Sequence, residues 1–196
     1  MKSIDTLDLN GTYSYADYLK WEFEERLELI KGKIFKMSPA PPTRHQKIAG
    51  MLFAEIWQLL KYRDCQVFIA PFDVRLPKFD VQSDTEILTV VQPDISVVCD
   101  PMKVDKKGCI GAPDWIIEIL SPGNTRKEMN NKFDVYEESG VKEYWLVEPN
   151  DEVVFVYVLI GEGKFIGLKP YTIGQALTSI TLPDFTIDLN QLFDKK

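Results

Sequence analysis

Two hydrophobic periods organise the chain. Ile48, Leu52, Ile56 and Leu59 recur at helical spacing and predict a helix over 43–62, with His45 on the same stripe. A second helix over 125–139 carries Met129, Phe133 and Tyr136 on one face. Its start reads as a capping box, Thr125 at N-cap and Glu128 at N3, and Gly140 reads as its C′ stop. Aromatics and leucine at Tyr15, Tyr18, Leu19 and Phe23 predict a helical lead-in over 12–26. Alternation over 27–37 around Lys31-Gly32 predicts a hairpin, ended by Pro39, Pro41 and Pro42. Strands are expected over 67–76, 92–99, 113–120, 142–147, 152–160, 164–169 and 186–189. The run over 113–120 is apolar on both faces, which predicts a central strand covered on both sides.

This order of elements predicts an α/β (α+β) fold with a β-rich C-terminal part. At 196 residues one domain is expected: about 1–26 as lead-in, 27–150 as core and 151–196 as C-terminal extension. Hydrophobic residues at 45% and charged residues at 27% describe a chain able to bury a core. The net charge of −7 excludes coating nucleic acid through the bulk field, so any such contact needs a local basic patch. One histidine excludes multi-His zinc sites. Cys65, Cys99 and Cys109 are odd in number with no CxxC, so no disulfide framework is expected, and a reducing cytoplasm fits. No apolar run is long enough to cross a bilayer, and the acidic N-terminus does not read as a signal peptide.

Glu118 stands inside an otherwise apolar strand, where a carboxylate must be protonated, paired with a base or bound to a cation. Asp94 opens the strand before it; alone it reads as a turn residue after Pro93. If the two strands are neighbours, the two carboxylates meet, and a divalent cation resolves their repulsion. Oxygen ligands without histidine select a hard ion such as Mg²⁺ or Mn²⁺. Lys132 lies on the apolar stripe of the second helix, so it either snorkels or meets an acid or anion. Lys127, Asp134, Glu137 and Glu138 point to the opposite, solvent face. Glu28 reads as a half-exposed strand residue, Glu55 as a helix-edge residue and His45 as a structural histidine. No GxSxG elbow, P-loop or GxGxxG is present, and neither Cys99 nor Cys109 has a base nearby in sequence.

The succession Pro93-Asp94, Glu118 in an apolar strand and an inward lysine resembles the PD-(D/E)xK nuclease superfamily. In detail the chain resembles its Uma-two branch of restriction endonucleases. The shared text includes Leu27-Glu28-Leu29-Ile30-Lys31-Gly32-Lys33-Ile34, Ser38-Pro39, His45, Gln92-Pro93-Asp94-Ile95, Glu118-Ile119-Leu120-Ser121-Pro122, Lys132, Tyr136 and Gly140-Val141-Lys142-Glu143-Tyr144-Trp145. The resemblance spans about 15–192. It implies a restriction-endonuclease-like core, a mixed central sheet flanked by helices. It implies Asp94, Glu118 and the main-chain carbonyl of Ile119 as ligands of Mg²⁺ or Mn²⁺, with Glu28 supporting the metal site. The superfamily motif places lysine two residues after the acid. Leu120 stands there in this chain, so Lys132 takes the role from the following helix.

The activity so implied is metal-dependent hydrolysis of DNA phosphodiester bonds, by a homodimer on the analogy of double-strand cutters. Lys132 would orient or deprotonate the attacking water, and His45 would touch a phosphate or leaving group. Arg44, Lys47, Lys103, Lys106, Lys107, Arg126 and Lys127 would form a phosphate-binding rim, against plain solvation as the alternative. Two other readings stand beside this one. One is a nuclease-fold module without turnover, docking through an exposed edge around 153–160. The other is a metal-dependent hydrolase of a small phosphorylated substrate.

Overall fold

The computed structural model describes residues 4, 7–37, 42–78, 83–121 and 126–194, with the main chain alone at 126–128. Thr125 and the Glu128 side chain of the expected capping box, and Ser38, Pro39, Pro41 and Pro122, lie outside the described residues.

The N-terminal lead-in is helical only over Tyr15–Tyr18 (α1), because Asp17 caps Ser14 and the chain then turns away. Leu27–Ile30 (β1) and Lys33–Lys36 (β2) form the expected hairpin. Its turn needs positive φ at two residues, Lys31 at 52° and Gly32 at 76°, the conformation that matches strand twist in a two-residue loop. A Cβ at Gly32 would also meet Thr12 at 2.5 Å. Helix α2 spans Thr43–Leu60.

The strand expected over 67–76 is instead two strands, Gln66–Ile69 (β3) and Val74–Arg75 (β4), in different sheets. Pro71 between them has no N–H for a ladder. The same happens around Pro93, which separates Val90–Val91 (β5) from Ile95–Val98 (β6). Two short strands not anticipated, Val104–Asp105 (β7) and Gly108–Ile110 (β8), precede Trp115–Ile119 (β9). Helix α3 covers Arg126–Ser139 and ends where Gly140 takes φ 87°. Then come Glu143–Glu148 (β10), Val153–Ile160 (β11), Lys164–Gly167 (β12) and Tyr171–Thr172 (β13). Ala176–Thr178 (β14), Thr186–Asp188 (β15) and Leu189–Leu192 (α4) close the chain.

The larger sheet runs β12-β11-β10-β9-β6-β3, with β9 and β10 parallel and the other neighbours antiparallel. The smaller runs β2-β1-β5-β4-β8-β7. This is the mixed sheet with helices that was expected. Strand β9 is central and fully buried: Trp115, Ile117 and Ile119 pack with Ile48, Leu52 and Ile56 of α2, while Ile116 packs with Val135 and Tyr136 of α3. Strand β11 is not an edge, because β10 and β12 flank it; the docking edge expected at 153–160 is therefore already paired. Glu137 was expected on the solvent face, but its carboxylate accepts from Phe165 N and Lys164, tying α3 to β12.

One disulfide corrects the cysteine reading. The antiparallel register that sets Gln66 opposite Val98 brings Cys65 to Cys99, and they are bonded. Odd number and spacing could not reveal this pairing, which depends on strand register. Cys109 is free and buried on β8, where burial pushes its thiol up to about 12, far from a reactive thiolate.

Candidate active site

The site follows from strand register. Ile95 pairs with Ile117, so one step further along the antiparallel ladder Asp94 stands opposite Glu118. The main-chain N–H of Ile119 donates to Asp94 Oδ2 at 2.7 Å, fixing that carboxylate on the end of β9. The first turn of α2 brings His45 to the same oxygen, Nε2 to Oδ2 3.1 Å. Helix α3 supplies Lys132 from behind. Its ammonium donates to Glu118 Oε1 at 2.9 Å and reaches Glu28 Oε1 on β1 at 3.0 Å. Five candidates from five segments of the chain therefore meet: Glu28, His45, Asp94, Glu118 and Lys132.

Two residues that no charge pattern singled out complete the arrangement. Tyr136, four residues after Lys132 and so on the same helix face, donates its hydroxyl to Glu118 Oε1 at 2.6 Å. Gln92 donates its main-chain N–H to Glu28 Oε1 at 2.7 Å. The spacing of Tyr136 from Lys132 was the available signal; a main-chain donor such as that of Gln92 leaves none in the sequence. Glu28 is fully buried rather than half-exposed, with Oε2 lacking a hydrogen-bond partner.

Burial and mutual charge set the protonation states. Burial drives the Glu118 carboxyl up to about 7, with Lys132 pulling it down and Asp94 and Glu28 pushing it further up. Burial alone would lower Lys132, but Glu118 and Glu28 outweigh it and hold the ammonium well above its ordinary value. Lys132 is therefore a fixed cation and donor. Burial likewise opposes the charged form of His45; the hydrogen bond and charge of Asp94, with Glu118 behind it, prevail and raise its pKa.

The donor set suits a hard cation. The bonds above use Oδ2 of Asp94 and Oε1 of Glu118, so Oδ1 and Oε2 are outside them, and Glu28 Oε2 is an orphaned buried acceptor. Among the described residues no group of three or more His, Cys, Asp or Glu side chains forms a ready metal cage. Two carboxylates of this kind could serve only an ion that keeps several waters, such as Mg²⁺, and not one that demands a closed protein shell. Glu118, Ile119 and Leu120, with Met129, Lys132 and Tyr144, line a recess of about 10 Å³, barely the room of one water. The Asp94 side chain, 21% exposed, is the open end.

The proposed cationic rim is largely engaged within the protein. Arg44 pairs with Glu152 at 2.8 Å, Lys107 with Asp84 at 2.6 Å, and Lys103 donates to the Ala112 carbonyl at 2.8 Å. The side chains of Arg126 and Lys127 are outside the described residues, and Lys47 is itself engaged. Glu55 is exposed on α2, as expected.

A family model described as "Putative restriction endonuclease", Uma2, matches residues 15–190. The chain belongs to the Uma2 family. A solved structure titled as a putative nuclease belonging to DUF820 from Anabaena variabilis superposes with a TM-score of 0.72 at 25% identity, covering 92% of this chain and 97% of that one. An uncharacterized protein, slr1290, of Synechocystis sp. is 26% identical over 159 residues, 80% of this chain and 79% of its own length. These matches support a nuclease, and the Uma2 fold is the mixed α+β architecture described above. Among the described residues no helix is long and apolar enough to cross a membrane.

Proposed function

We propose that this Uma2 protein is a metal-dependent endonuclease that hydrolyses DNA phosphodiester bonds. The observation that carries the reading is that the Ile119 N–H, next to Glu118, holds Asp94 at the end of β9 while Lys132 pairs with Glu118. Asp94, Glu118 and the main-chain carbonyl of Ile119 would hold Mg²⁺ or Mn²⁺, with Glu28 in support through Lys132. Bound there, the ion supplies a water of lowered pKa and neutralises phosphate charge. Lys132 stays protonated between its two carboxylates, so it orients the attacking water and offsets developing negative charge; it is not the general base. His45 holds a proton at Nε2, next to the open Asp94 end, where a phosphate oxygen or a leaving group can receive it. Glu28 and Tyr136 position the ammonium and the Glu118 carboxylate. A homodimer would supply the second site that double-strand cleavage needs.

One observation favours a second reading, a nuclease-fold module that binds without turnover: Arg44 and Lys107 of the rim are held in ion pairs, and the recess beside Glu118 has barely the room of one water. Supercoiled plasmid with Mg²⁺ or Mn²⁺ separates the two. Nicking or linearisation by the wild type, lost in Asp94→Ala and in Lys132→Ala, is the expected result. A folded wild type that binds Mn²⁺ yet leaves plasmids of varied sequence intact would sink the nuclease reading in favour of the module. Hydrolysis of nucleotides but not of polymers would replace it with a small-substrate hydrolase.

A further inference from the structure

A second recess, about 220 Å³ in volume, is lined by the rings of Tyr18, Trp21 and Phe23 together with Arg26, Gln92 and Leu27, the residue before Glu28. The space is far larger than the one-water recess beside Glu118 and can admit a flat heteroaromatic ring. The rings are braced against each other. Trp21 lies 5.8 Å from Tyr18 and 5.9 Å from Phe23, centroid to centroid, and Tyr13 meets Trp21 edge-on at 5.3 Å. They are nonetheless half-buried and do not join the main core. The polar wall is equally fixed. The Gln92 side chain accepts from Arg26 Nη2 at 2.6 Å and donates to Asp73 Oδ1 at 2.8 Å. A guanidinium has more N–H donors than that one bond uses. Glu25, on the same rim, is paired with Lys36.

Gln92 ties this recess to the catalytic site. Its side chain is in the wall, its main-chain N–H is on Glu28, and Asp94 is two residues further along the chain. The charge of the protein makes the recess consequential. With net charge −7, and with Arg44 and Lys107 already held in ion pairs, stacking can add affinity that phosphate contacts alone would not supply. Stacking on aromatic rings needs no net positive charge and accepts any base.

Resting on the endonuclease reading above, we infer that the Tyr18–Trp21–Phe23 recess is a subsite for one unpaired nucleobase next to the scissile phosphate. The substrate class is therefore DNA that is single-stranded at the cut, and Arg26 covers the base or its phosphate at the mouth.

The test uses fluorescence anisotropy of short labelled oligothymidylates with Ca²⁺ in place of Mg²⁺, beside a blunt duplex of the same sequence. The wild type should bind the single strand more tightly than the duplex. Phe23→Leu, which keeps apolar bulk but removes the ring face, should weaken single-strand binding by about 5- to 100-fold and leave duplex binding unchanged. Phe23→Trp should restore it. An abasic site moved along the oligonucleotide should produce the same loss at one position in the wild type and none in Phe23→Leu, the signature of a direct pair. Unchanged Mn²⁺ binding by Phe23→Leu verifies the fold. Cleavage of DNA by a wild type whose single-strand binding ignores both Phe23→Leu and the abasic scan overturns the subsite alone. A wild type that neither binds nor cleaves either form of DNA overturns the nuclease reading and the subsite with it.

Discussion

Lys132→Met removes the one cation that lies between two buried carboxylates and leaves an apolar chain of similar length. Two hydrogen-bonded contacts vanish, 2.9 Å to Glu118 and 3.0 Å to Glu28. Each carboxylate keeps one donor, Tyr136 on Glu118 and the N–H of Gln92 on Glu28. Breaking a buried pair by removing one partner costs about 3–5 kcal/mol, because a charge is stranded. The strand can escape that cost by taking up protons. Glu118, already pushed up to about 7, gains one at neutral pH with little penalty. The variant should therefore lose about 3–5 kcal/mol of stability at pH 7, and less at pH 5, where a stranded carboxylate takes up a proton more readily. Urea unfolding at both pH values, wild type beside variant, reads this as a shift in midpoint at constant slope. Adding Glu28→Gln to Lys132→Met should recover most of the loss at pH 7. An equal loss at the two pH values, or no recovery in the double variant, would show that Lys132 contributes through packing and not as counter-charge, and the account of the site would fall with it.

Other elements make their own predictions. Glu143, fully buried, accepts from Trp145 Nε1, Ser179 Oγ and the N–H groups of Ile180 and Thr181; Glu143→Gln turns an acceptor toward donors and should cost about 2–4 kcal/mol, seen as a melting temperature lowered by roughly 5–15 °C. Burial favours the neutral form of Asp114, but its bonds with Lys142 and the N–H of Cys99 outweigh that and hold its pKa below 3.8. The stability it contributes is thus complete above about pH 4 and lost as pH falls through the lowered folded value; Asp114→Asn should be less stable at pH 6 and show a flatter loss below pH 4 in acid unfolding. The Cys65–Cys99 bond closes a sequence separation of 34, for which chain entropy predicts a contribution of about 4 kcal/mol; a thiol reductant should lower the urea midpoint of the wild type and leave that of Cys65→Ser where it is.

The parts of this architecture that periodicity encodes were readable in advance, and the parts that register encodes were not. Helix α2 is visible because Ile48, Leu52 and Ile56 repeat on one face, and β9 because its run is apolar throughout. Lys132 could be placed on the apolar stripe from its spacing to Met129 and Tyr136, but spacing left open whether it snorkels or meets an acid, and its pairing with Glu118 came only with the structure. The breaks at Pro71 and Pro93 hid a change of sheet, since a continuous apolar run has no mark of which neighbour it will pair with. Glu28 looked half-exposed because alternation in a hairpin leaves one face to solvent, and only α3 packing over that face buries it. The Cys65–Cys99 bond depends on the alignment of β3 with β6, a fact about two strands and not about either one.

The displaced lysine changes what the site depends on. Residues two apart on a strand share a face, so a lysine at the position of Leu120 would ride on β9 with Glu118, and the pair would be as rigid as the strand. Here Leu120 lines the small recess with Met129, and the ammonium arrives from a separate helix. The geometry between acid and lysine is then set by how α3 docks. Val135 and Tyr136 pack it on the sheet, Glu138 ties it to Lys31 in the hairpin turn, and Glu137 ties it to Phe165 and Lys164 on β12. Contacts far from Glu118 thus control the position of the ammonium that pairs with it. The same ammonium also neutralises Glu28, whose strand lies between β2 and β5 in the smaller sheet. Lys132 therefore joins the two sheets at the point where the chemistry is proposed, and in this protein the stability of the inter-sheet packing and the readiness of the site are one property.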